Sequence, residues 1–263
     1  MKAIILAAGE GKRLRPLTQN IPKCMVNLFG KSLIEWQIET FRSYNIFDIS
    51  IVTGYCSEKI NFPNITYFKN SKFKTSNMVE TLFCAKKKLT DCVIVSYGDI
   101  IFEKSILKKL IDSDEDYSVV IDKAWKKYWN MRFKNPLEDV ESLILDDDGY
   151  IRSIGQKVKN IDEIQGQYIG LMKFQNVGLR FLKEFYEKAR KKANLGSNLL
   201  NSNVPFERSY MTDLIQGLIN SKCKIKAITT NNGWLELDSY HDYELYQRKY
   251  EDKTISDLIS LEN

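Results

Sequence analysis

The stretch MKAIILAAGEGKRLRPLTQNIPKCMV, residues 1–26, joins a short apolar run to a loop rich in glycine and positive charge. The run KAIIL has the composition typical of a strand that is buried on both faces of a parallel sheet. Gly9 and Gly11 follow it, and then come four cations, Lys12, Arg13, Arg15 and Lys23. Because glycines let backbone N–H groups approach a phosphate and cations neutralise its charge, this stretch predicts a phosphate-binding loop after the first strand.

Two better-known phosphate loops do not fit this stretch. A P-loop requires G-x-x-x-x-G-K-[ST], and neither glycine stands at the required distance before a Gly-Lys-Ser/Thr sequence. The dinucleotide fingerprint G-x-G-x-x-G requires a third glycine, where this chain has Leu14, with Pro16 soon after. Leu14 would hold the helix away from the strand, which disfavours a dinucleotide-dependent oxidoreductase. The remaining interpretation is an extended triphosphate cradle whose second half is stiffened by Pro16 and Pro22.

The length and composition set outer limits on the class of protein. The chain has 263 residues, 43% of them hydrophobic, and suits one large α/β domain or two small ones. The net charge of +5 is too small to indicate nucleic acid as a partner and suits a small anionic substrate. No stretch approaches the roughly 18 apolar residues of a membrane span, and the run around Ile4 is too short for a signal peptide. We therefore expect a cytoplasmic protein without a membrane partner.

The cysteines and the histidine exclude two kinds of chemistry. The five cysteines show no C-x-x-C spacing, which is typical of free thiols in a reducing compartment. His241 is the only histidine. A zinc site and a Ser-His-Asp triad are both disfavoured.

Strand-like runs alternate with helical periodicity through the first half of the chain. The predicted strands are KAIIL (2–6), DISIVTG (48–54), CVIVSYG (92–98) and YSVVID (117–122). Helical spacing of apolar residues covers 31–44 and 76–88, and a third helix starts at Ser105 and includes Leu110. This alternation predicts βαβ units in a three-layer α/β domain.

The pattern changes in the second half, where an inserted β lobe is expected. Its predicted strands are WNMRF (129–133), ESLIL (141–145) and YIRSIG (150–155), and DDDGY (146–150) is interpreted as a hairpin turn rather than a calcium site. GQYIGLMKF (166–174) predicts a buried strand, followed by helices over 177–194 and 208–220 and an Asn-rich surface loop over 194–203. A last strand pair, KIKAIT (224–229) and GWLEL (233–237), precedes a C-terminal helix.

Several motifs together resemble one enzyme family. LAAGEGKRLRPLTQNIPKCMV resembles the signature L-A-A-G-x-G-x-R-L-x-P-L-T-x-x-x-P-K of the nucleotidyltransferase (nucleoside-diphosphate-sugar pyrophosphorylase) family. KSLIEWQIE and IVTGY are similar to the family's first helix and second strand, and WLELDSYHDYELY to its W-x-E-I-D-T-x-E-D-Y segment. SNMVETL resembles the T-N-N-x-x-S-L segment of the phosphocholine cytidylyltransferase branch. The resemblance covers nearly the whole chain.

The resemblance implies both a fold and a reaction. The fold is a three-layer Rossmann-like nucleotidyltransferase domain over 1–263, with a mixed, mostly parallel sheet and a small inserted β lobe. Residues 1–122 would bind the nucleotide and residues 123–263 the acceptor. The reaction transfers CMP from CTP to the phosphate of a small acceptor and releases pyrophosphate. No nucleic acid takes part, and a homodimer is compatible with the family.

Alternatives remain for the acceptor, the base and the activity itself. The acceptor classes are phosphocholine, phosphoethanolamine, aminoethylphosphonate and a phosphorylated amino-acid amide such as glutamine phosphate. A sugar 1-phosphate used with UTP, dTTP or GTP is a further alternative. A catalytically inactive nucleotide-binding regulatory protein would be expected to lose Lys23, Asp99 or Asp238, and all three are present.

The resemblance also implies a nucleotide site. Arg13 would hold the leaving β- and γ-phosphates, Lys23 would lie near the α-phosphate, and Lys157 of IGQK would approach the acceptor phosphate. Gly54 and Tyr55 would lie over the base, and Asn77 near the nucleotide or the acceptor. The full set expected to bind the nucleotide is Leu6, Ala7, Ala8, Gly9, Gly11, Lys12, Gly54, Tyr55, Asn77 and Gly98.

Two aspartates at strand ends predict a metal site. Asp99 follows CVIVSYG and Asp238 follows GWLEL, at the ends where open α/β sheets bind ligands. Such carboxylates can hold Mg²⁺ together with phosphates and water. Each alone could be a helix N-cap, but the pair matches the family's two metal ligands.

The acceptor site is the least specified by the sequence. Trp125, Tyr128, Trp129 and Trp234 could box a quaternary ammonium through cation–π contacts, or could form the core of the lobe. Arg132 could grip a substrate carboxylate. The residues expected to bind the acceptor are Trp129, Arg132, Tyr168, Gly170 and Trp234.

Overall fold

The computed structural model describes residues 1–158 and 160–261. The strands are β1 (Lys2–Ala7), β2 (Asn27–Leu28), β3 (Lys31–Ser32), β4 (Ile49–Thr53), β5 (Ile65–Lys69), β6 (Cys92–Tyr97), β7 (Ile100–Phe102), β8 (Tyr117–Asp122), β9 (Leu143–Leu145), β10 (Ile151–Ile154), β11 (Gln167–Gln175), β12 (Lys226–Thr230) and β13 (Trp234–Glu236). The α-helices are α1 (Leu33–Ser43), α2 (Met78–Cys84), α3 (Lys104–Ile111), α4 (Trp125–Arg132), α5 (Asn176–Ala193), α6 (Met211–Asn220) and α7 (Tyr240–Glu251).

The main sheet has seven strands in the order β12-β8-β11-β6-β1-β4-β5. Only β11 runs antiparallel to its neighbours in this sheet, so the prediction of a mixed, mostly parallel sheet is confirmed. Alternate side chains of β1 enter different cores, since Ile5 belongs to one buried cluster and Ile4 to the other. Helices α1, α3, α4 and α7 cover the first face, and α2, α5 and α6 cover the second. The result is the expected three-layer arrangement.

Helix α1 shows how local sequence determines an element. Ser32 caps it, because its backbone N–H donates to Oε2 of Glu35 at 2.7 Å and its Oγ accepts from the backbone N–H of Glu35 at 3.4 Å. Ile34, Ile38 and Phe41 follow at helical spacing and are all buried. A predicted helix is therefore confirmed together with the face that it buries.

The prediction of a strand over 129–133 is wrong, because helix α4 occupies Trp125–Arg132. Trp125, Tyr128, Trp129 and Arg132 are spaced as i, i+3, i+4 and i+7, and all four are buried on one side of the helix. Aromatic residues are common in strands as well as on buried helix faces. The helical spacing of the same residues is decisive, because it lets one face pack against β13 and α7.

The remaining predictions for the lobe are mostly confirmed. Strands β9 and β10 pair as an antiparallel hairpin. The acidic run between them is a turn, in which Oδ1 of Asp146 accepts from the backbone N–H groups of Asp148 at 3.1 Å and Tyr150 at 2.8 Å. The last two strands do not pair with each other as expected, since β12 joins β8 and β13 joins β7. Within residues 1–158 and 160–261, no helix is both long and apolar enough to cross a bilayer.

Candidate active site

A cavity of about 380 Å³ lies at the carboxyl ends of β1 and β6. The loop that follows β1 and the segment after β13 both line it. Twelve of the predicted site residues line this cavity: Leu6, Ala7, Ala8, Gly9, Gly11, Lys12, Arg13, Lys23, Asn77, Gly98, Asp99 and Asp238. The predicted nucleotide and metal residues are therefore mostly brought together in one place.

Two glycines shape the loop in different ways. Gly11 has φ of 64°, and a Cβ there would lie 3.0 Å from Cβ of Lys23. A side chain at this position would meet both backbone strain and crowding, so glycine lets Lys23 pack against the loop. A Cβ on Gly9 would meet no atom within 4 Å, so this part of the loop is open to the cavity. The backbone here can be approached closely by a ligand.

The tips of β4 and β6 hold the end of β1 between them. The backbone N–H of Gly98 donates to the carbonyl of Leu6 at 2.9 Å, and that of Tyr55 donates to the carbonyl of Ala8 at 3.2 Å. A Cβ on Gly98 would lie 2.8 Å from the Leu6 oxygen, and one on Gly54 would lie 2.6 Å from the Ala8 oxygen. Glycine at both positions therefore permits the close approach that holds the end of β1 beside the cavity.

A cluster of two cations and two carboxylates lies at the centre of the cavity. Nζ of Lys23 donates to Oδ2 of Asp99 at 2.6 Å and to Oδ1 of Asp238 at 2.8 Å. Nη2 of Arg13 lies 2.5 Å from Oδ2 of Asp238. The backbone N–H of Leu237 donates to the carbonyl of Asp99 at 2.9 Å, which ties the two strand ends together. Lys23 therefore contacts both aspartates, whereas Arg13 contacts Asp238.

The pKa directions of Lys23 and Asp238 favour the charged form of each. Burial disfavours the charge on Lys23, but the carboxylates of Asp99 and Asp238 outweigh burial and raise its pKa. Burial likewise opposes ionisation of Asp238, but Lys23 and then Arg13 hold the pKa of that carboxyl below its usual value. The site is preorganised to accept a polyanion on its cationic side and a cation on its acidic side.

The donor set at the two aspartates fits a divalent metal ion. Oδ1 of Asp99 is buried and has no hydrogen-bond partner among the described residues. A buried carboxylate oxygen without a partner is unfavourable unless something occupies its free lone pairs. Oxygen ligands from carboxylates are those that Mg²⁺ prefers.

Glu236 also lines the cavity, although it was not among the predicted site residues. Burial raises its pKa to about 7, against the opposing charge of Arg132 and with the support of Asp99 and Asp238. A sequence signal for Glu236 was available, because positions 236 and 238 are two residues apart at a strand end and so point to one side. The other lining residues that sequence reasoning missed are Cys24, Phe73, Ser76, Met78, Thr81 and Tyr97.

Of the predicted nucleotide residues, Asn77 lines the cavity, whereas Gly54 and Tyr55 do not. Asn77 lines the cavity and caps α2, since its Oδ1 accepts from the backbone N–H of Met78 at 3.0 Å. The hydroxyl of Tyr55 donates to the carbonyl of Gln19 at 2.6 Å, and its ring lies 6.4 Å from the ring of Phe73. Phe73, rather than Tyr55 or Gly54, reaches the cavity.

Three of the predicted acceptor residues lie in the core behind the cavity. Trp129, Arg132 and Trp234 are all buried and do not line it. The indole N–H of Trp234 donates to Oδ2 of Asp122 at 2.9 Å, and that of Trp129 donates to Oδ2 of Asp139 at 3.2 Å. The physical reason is again α4, whose aromatic face packs against β13. These aromatic rings form packed core and no open box.

The other two acceptor residues lie behind Tyr97, and Lys157 lies apart from the cavity. Gly170 has φ of 84°, and a Cβ there would lie 2.7 Å from the ring of Tyr97. The ring of Tyr168 packs edge-on against the same ring at 5.6 Å. Lys157 is exposed after β10 and makes no hydrogen bond or ion pair with any other described residue.

Comparisons with known proteins identify the family of the chain. Residues 3–159 match the family model of the MobA-like NTP transferase domain. The chain is 41% identical over 260 residues to a CTP:phosphoglutamine cytidylyltransferase of Campylobacter jejuni, covering 95% of this chain and 100% of that relative. It is 37% identical over 117 residues to a choline-phosphate cytidylyltransferase of Streptococcus pneumoniae, covering 43% of this chain and 51% of the relative.

Solved structures share the fold. The CTP:phosphocholine cytidylyltransferase of Streptococcus pneumoniae superimposes with a TM-score of 0.70 at 24% identity, covering 96% of this chain and 98% of that one. The inositol-1-phosphate CTP transferase of T. maritima superimposes with a TM-score of 0.69 at 19% identity, covering 98% and 97%. With its glycine-rich loop, its paired strand-end aspartates and a family match over more than half its length, the chain belongs to the MobA-like NTP transferases and is a nucleotidyltransferase.

Proposed function

We propose that the protein transfers CMP from CTP to the phosphate of a small phosphorylated acceptor of the glutamine phosphate type, with release of pyrophosphate. The observation that carries this proposal is the meeting of Arg13, Lys23, Asp99 and Asp238 beside a glycine-rich loop in one cavity. The choice of CTP and of the acceptor is supported by the full-length similarity to a CTP:phosphoglutamine cytidylyltransferase.

The first physical problem of this reaction is repulsion between two anions. An oxygen of the acceptor phosphate forms a bond to the α-phosphorus, and the bond from that phosphorus to the bridging oxygen of pyrophosphate breaks. Arg13 would hold the leaving β- and γ-phosphates, and Lys23 would neutralise charge near the α-phosphate. Positioning and charge stabilisation suffice for such a transfer, so no covalent enzyme intermediate is needed.

A divalent metal is the cofactor that the family generally uses, and Mg²⁺ is the ion that we propose here. Asp99 and Asp238 would hold it, in keeping with the unpartnered Oδ1 of Asp99. When bound, the ion would neutralise charge on the triphosphate. Lys23 now contacts both of these carboxylates, so it would be released toward the phosphates when they take up another cation.

The acceptor is proposed to bind beside Tyr97. Residues 123–263 would supply the acceptor side of the site, and residues 1–122 the nucleotide side. Tyr168 and Gly170 would act through the ring of Tyr97, which they support. Lys157 would approach the acceptor phosphate. Trp125, Tyr128, Trp129 and Trp234 are packed in the core and so would not box a quaternary ammonium, and the similarity to a CTP:phosphoglutamine cytidylyltransferase supports the amino-acid amide. We place this reaction in the cytoplasm.

Nucleotide choice is tested by thermal shifts with CTP, UTP, dTTP, GTP and ATP, each with Mg²⁺. A ligand at about 100 times its Kd adds about 2.7 kcal/mol of stability, which shifts the Tm by several degrees. We expect the largest shift with CTP. A larger shift with UTP or dTTP would instead indicate a sugar-nucleotide enzyme.

Turnover is tested by pyrophosphate release from CTP with glutamine phosphate, phosphocholine and glucose 1-phosphate in parallel. We expect the fastest release with glutamine phosphate, and loss of release in the Asp99→Asn variant with its fold retained. If CTP binds but none of these three acceptors supports release, the proposed acceptor class is wrong. Full activity of Asp99→Asn would refute the assignment of that residue to the metal.

A further inference from the structure

We propose that Arg132, which lies one layer behind the cavity, is a positioning residue that holds the carboxylate of Glu236 and the backbone of Asp238 in place for the reaction. The proposal rests on the function proposed above for this cavity. It replaces the expectation that Arg132 grips the substrate, because its side chain has 0% exposure to solvent.

Arg132 reaches two carboxylates at once. Its Nε donates to Oδ1 of Asp242 at 3.0 Å, and its Nη2 donates to Oδ2 of the same residue at 3.3 Å. Its Nη1 lies 2.9 Å from Oε2 of Glu236, in an ion pair that lacks the alignment of a hydrogen bond. One guanidinium therefore connects a cavity-lining carboxylate to a carboxylate at the start of α7.

Asp242 connects Arg132 to the backbone of Asp238 through hydrogen bonds. Oδ2 of Asp242 accepts hydrogen bonds from the backbone N–H of Asp238 at 3.0 Å and from that of Ser239 at 2.8 Å. The backbone of Asp238 is therefore held by a side chain that is itself held by Arg132. Since the Asp238 side chain faces Lys23 and Arg13, its direction depends on this chain of contacts.

Two tyrosines hold the backbone of Glu236 in the same way. Its N–H donates to the hydroxyl of Tyr128 at 2.9 Å, and its carbonyl accepts from the hydroxyl of Tyr246 at 2.8 Å. The guanidinium of Arg132 lies 5.1 Å from the ring centroid of Tyr128 and 5.4 Å from that of Trp129. Packing thus fixes the plane of the guanidinium, and Arg132 adds the side-chain contact that the tyrosines do not make.

Stability alone does not account for a buried arginine at this place. Desolvating a charge is costly, and replacing a buried ion pair with apolar residues of similar volume is often neutral or stabilising. A packed aromatic core surrounds Arg132, so apolar residues could replace the whole ion pair there, whereas loss of Arg132 alone would leave the buried carboxylate of Asp242 without its cation. Instead, the contacts of Arg132 reach two acidic residues of the cavity, Glu236 directly and Asp238 through Asp242. Residues that fix the orientation of metal ligands make contacts of this kind.

The first experiment compares Arg132→Met with the wild type in two measurements. Binding of Mn²⁺ without nucleotide is followed by electron paramagnetic resonance, and turnover by pyrophosphate release from CTP. We expect the Kd for Mn²⁺ to rise about 10-fold and kcat to fall about 100-fold. The KM for CTP should stay within about three-fold of the wild-type value, because the phosphate-binding cations remain.

Leu110→Ala is the matched control, because Leu110 is fully buried on α3 in the same apolar cluster and lies outside the Arg132 network. It should lower the Tm while leaving kcat and Mn²⁺ affinity of the folded protein unchanged. Asp242→Asn removes a charge from the other end of the network and tests the same link if Arg132→Met does not fold. The double variant should lose little more activity than the worse single variant, since both break one chain of contacts.

Wild-type Mn²⁺ affinity and kcat in folded Arg132→Met, or purely additive losses in the double variant, would overturn the positioning role. Absence of CTP turnover in the wild type would instead overturn the proposed function. In that case the Mn²⁺ measurement still decides the role of Arg132, so the two failures are distinguishable.

Discussion

At the scale of single residues, Lys23 contacts the same carboxylates that a metal ion would need. Its ammonium bonds to the two carboxylates that would hold a cation, and only 13% of its side chain is exposed. A metal ion on Asp99 and Asp238 would have to share their oxygens with this ammonium. Lys23 and a free divalent ion therefore compete when no nucleotide is bound, because both need the same negative charge.

Lys23→Met is expected to separate these two roles. Turnover should fall at least about 100-fold, since a charge that stabilises the transferring phosphoryl group is lost. Affinity for Mn²⁺ without nucleotide should rise about 10-fold, because the competing ammonium is gone. Electron paramagnetic resonance and pyrophosphate release measure the two effects. Lys31→Met is the control, since Lys31 pairs with Glu39 away from the cavity; an unchanged or weaker Mn²⁺ affinity in Lys23→Met would contradict the competition.

At the scale of elements, Gly170 of β11 packs closely against the ring of Tyr97 of β6. Gly170 has a left-handed backbone conformation, and the ring of Tyr97 occupies the space where a Cβ would lie. The register between β11 and β8 also shifts between Tyr168 and Met172. A glycine at a bulge in β11 thus lets an aromatic wall of the cavity stand against the sheet.

Gly170→Ala should cost about 2 kcal/mol or more in the free energy of unfolding, because backbone strain adds to a clash with Tyr97. Gly196→Ala is a matched control, since Gly196 has φ of 89° but a Cβ there would meet nothing within 4 Å. Urea unfolding of both variants separates the clash from the strain. Equal losses of stability would show that the Tyr97 contact contributes nothing.

The elements also show where sequence patterns have predictive limits. Buried β-branched runs predicted β1, β4, β6 and β8, because a strand covered on both faces must be continuously apolar. The aromatic run of α4 was misassigned, because tryptophan and tyrosine suit a strand or a helix face equally well. Whether such residues line a pocket or fill a core depends on the neighbours against which they pack.

At the scale of the whole molecule, two half-buried carboxyls make stability depend on pH. Burial, with a smaller contribution from the Asp213 charge, raises the pKa of Glu141 to about 7. Burial chiefly raises that of Glu236 to about 7 as well. In the folded protein both carboxyls therefore keep their protons up to about pH 7, whereas in the unfolded chain they lose them near their ordinary pKa of 4.5. Because the folded state binds more protons over this interval, these groups lower stability as the pH rises from 4.5 to about 7.

Glu141→Gln should therefore flatten this pH dependence. Relative to the wild type, the variant should become more stable as the pH rises, by at most about 3 kcal/mol between about pH 4.5 and pH 8. Urea unfolding at several pH values measures the difference, and Glu236 contributes equally to both proteins. A wild-type pH slope in Glu141→Gln would mean that Glu141 has an ordinary pKa in the folded protein.

The sequence by itself determined the features of this protein that depend on neighbours along the chain. These are most strands of the main sheet, though not β5, together with most of the helices, the glycine-rich loop and the placement of Asp99 and Asp238 at strand ends. Parallel strands bring their carboxyl ends to one edge, so residues distant in sequence could be expected to meet there. This rule accounts for the loop after β1 and for Asp99 after β6, whereas Asp238 reaches the cavity because β13 pairs antiparallel with β7.

Only the tertiary structure decided which side chains face the cavity and which stand behind it. Glu236, Phe73 and Tyr97 reach the cavity, whereas Arg132 and the tryptophans are enclosed by α4, β13 and α7. Burial is a property of contacts between elements, and one sequence pattern is compatible with either environment. The physical reason is that a charged or aromatic side chain takes its role from the partners that packing provides.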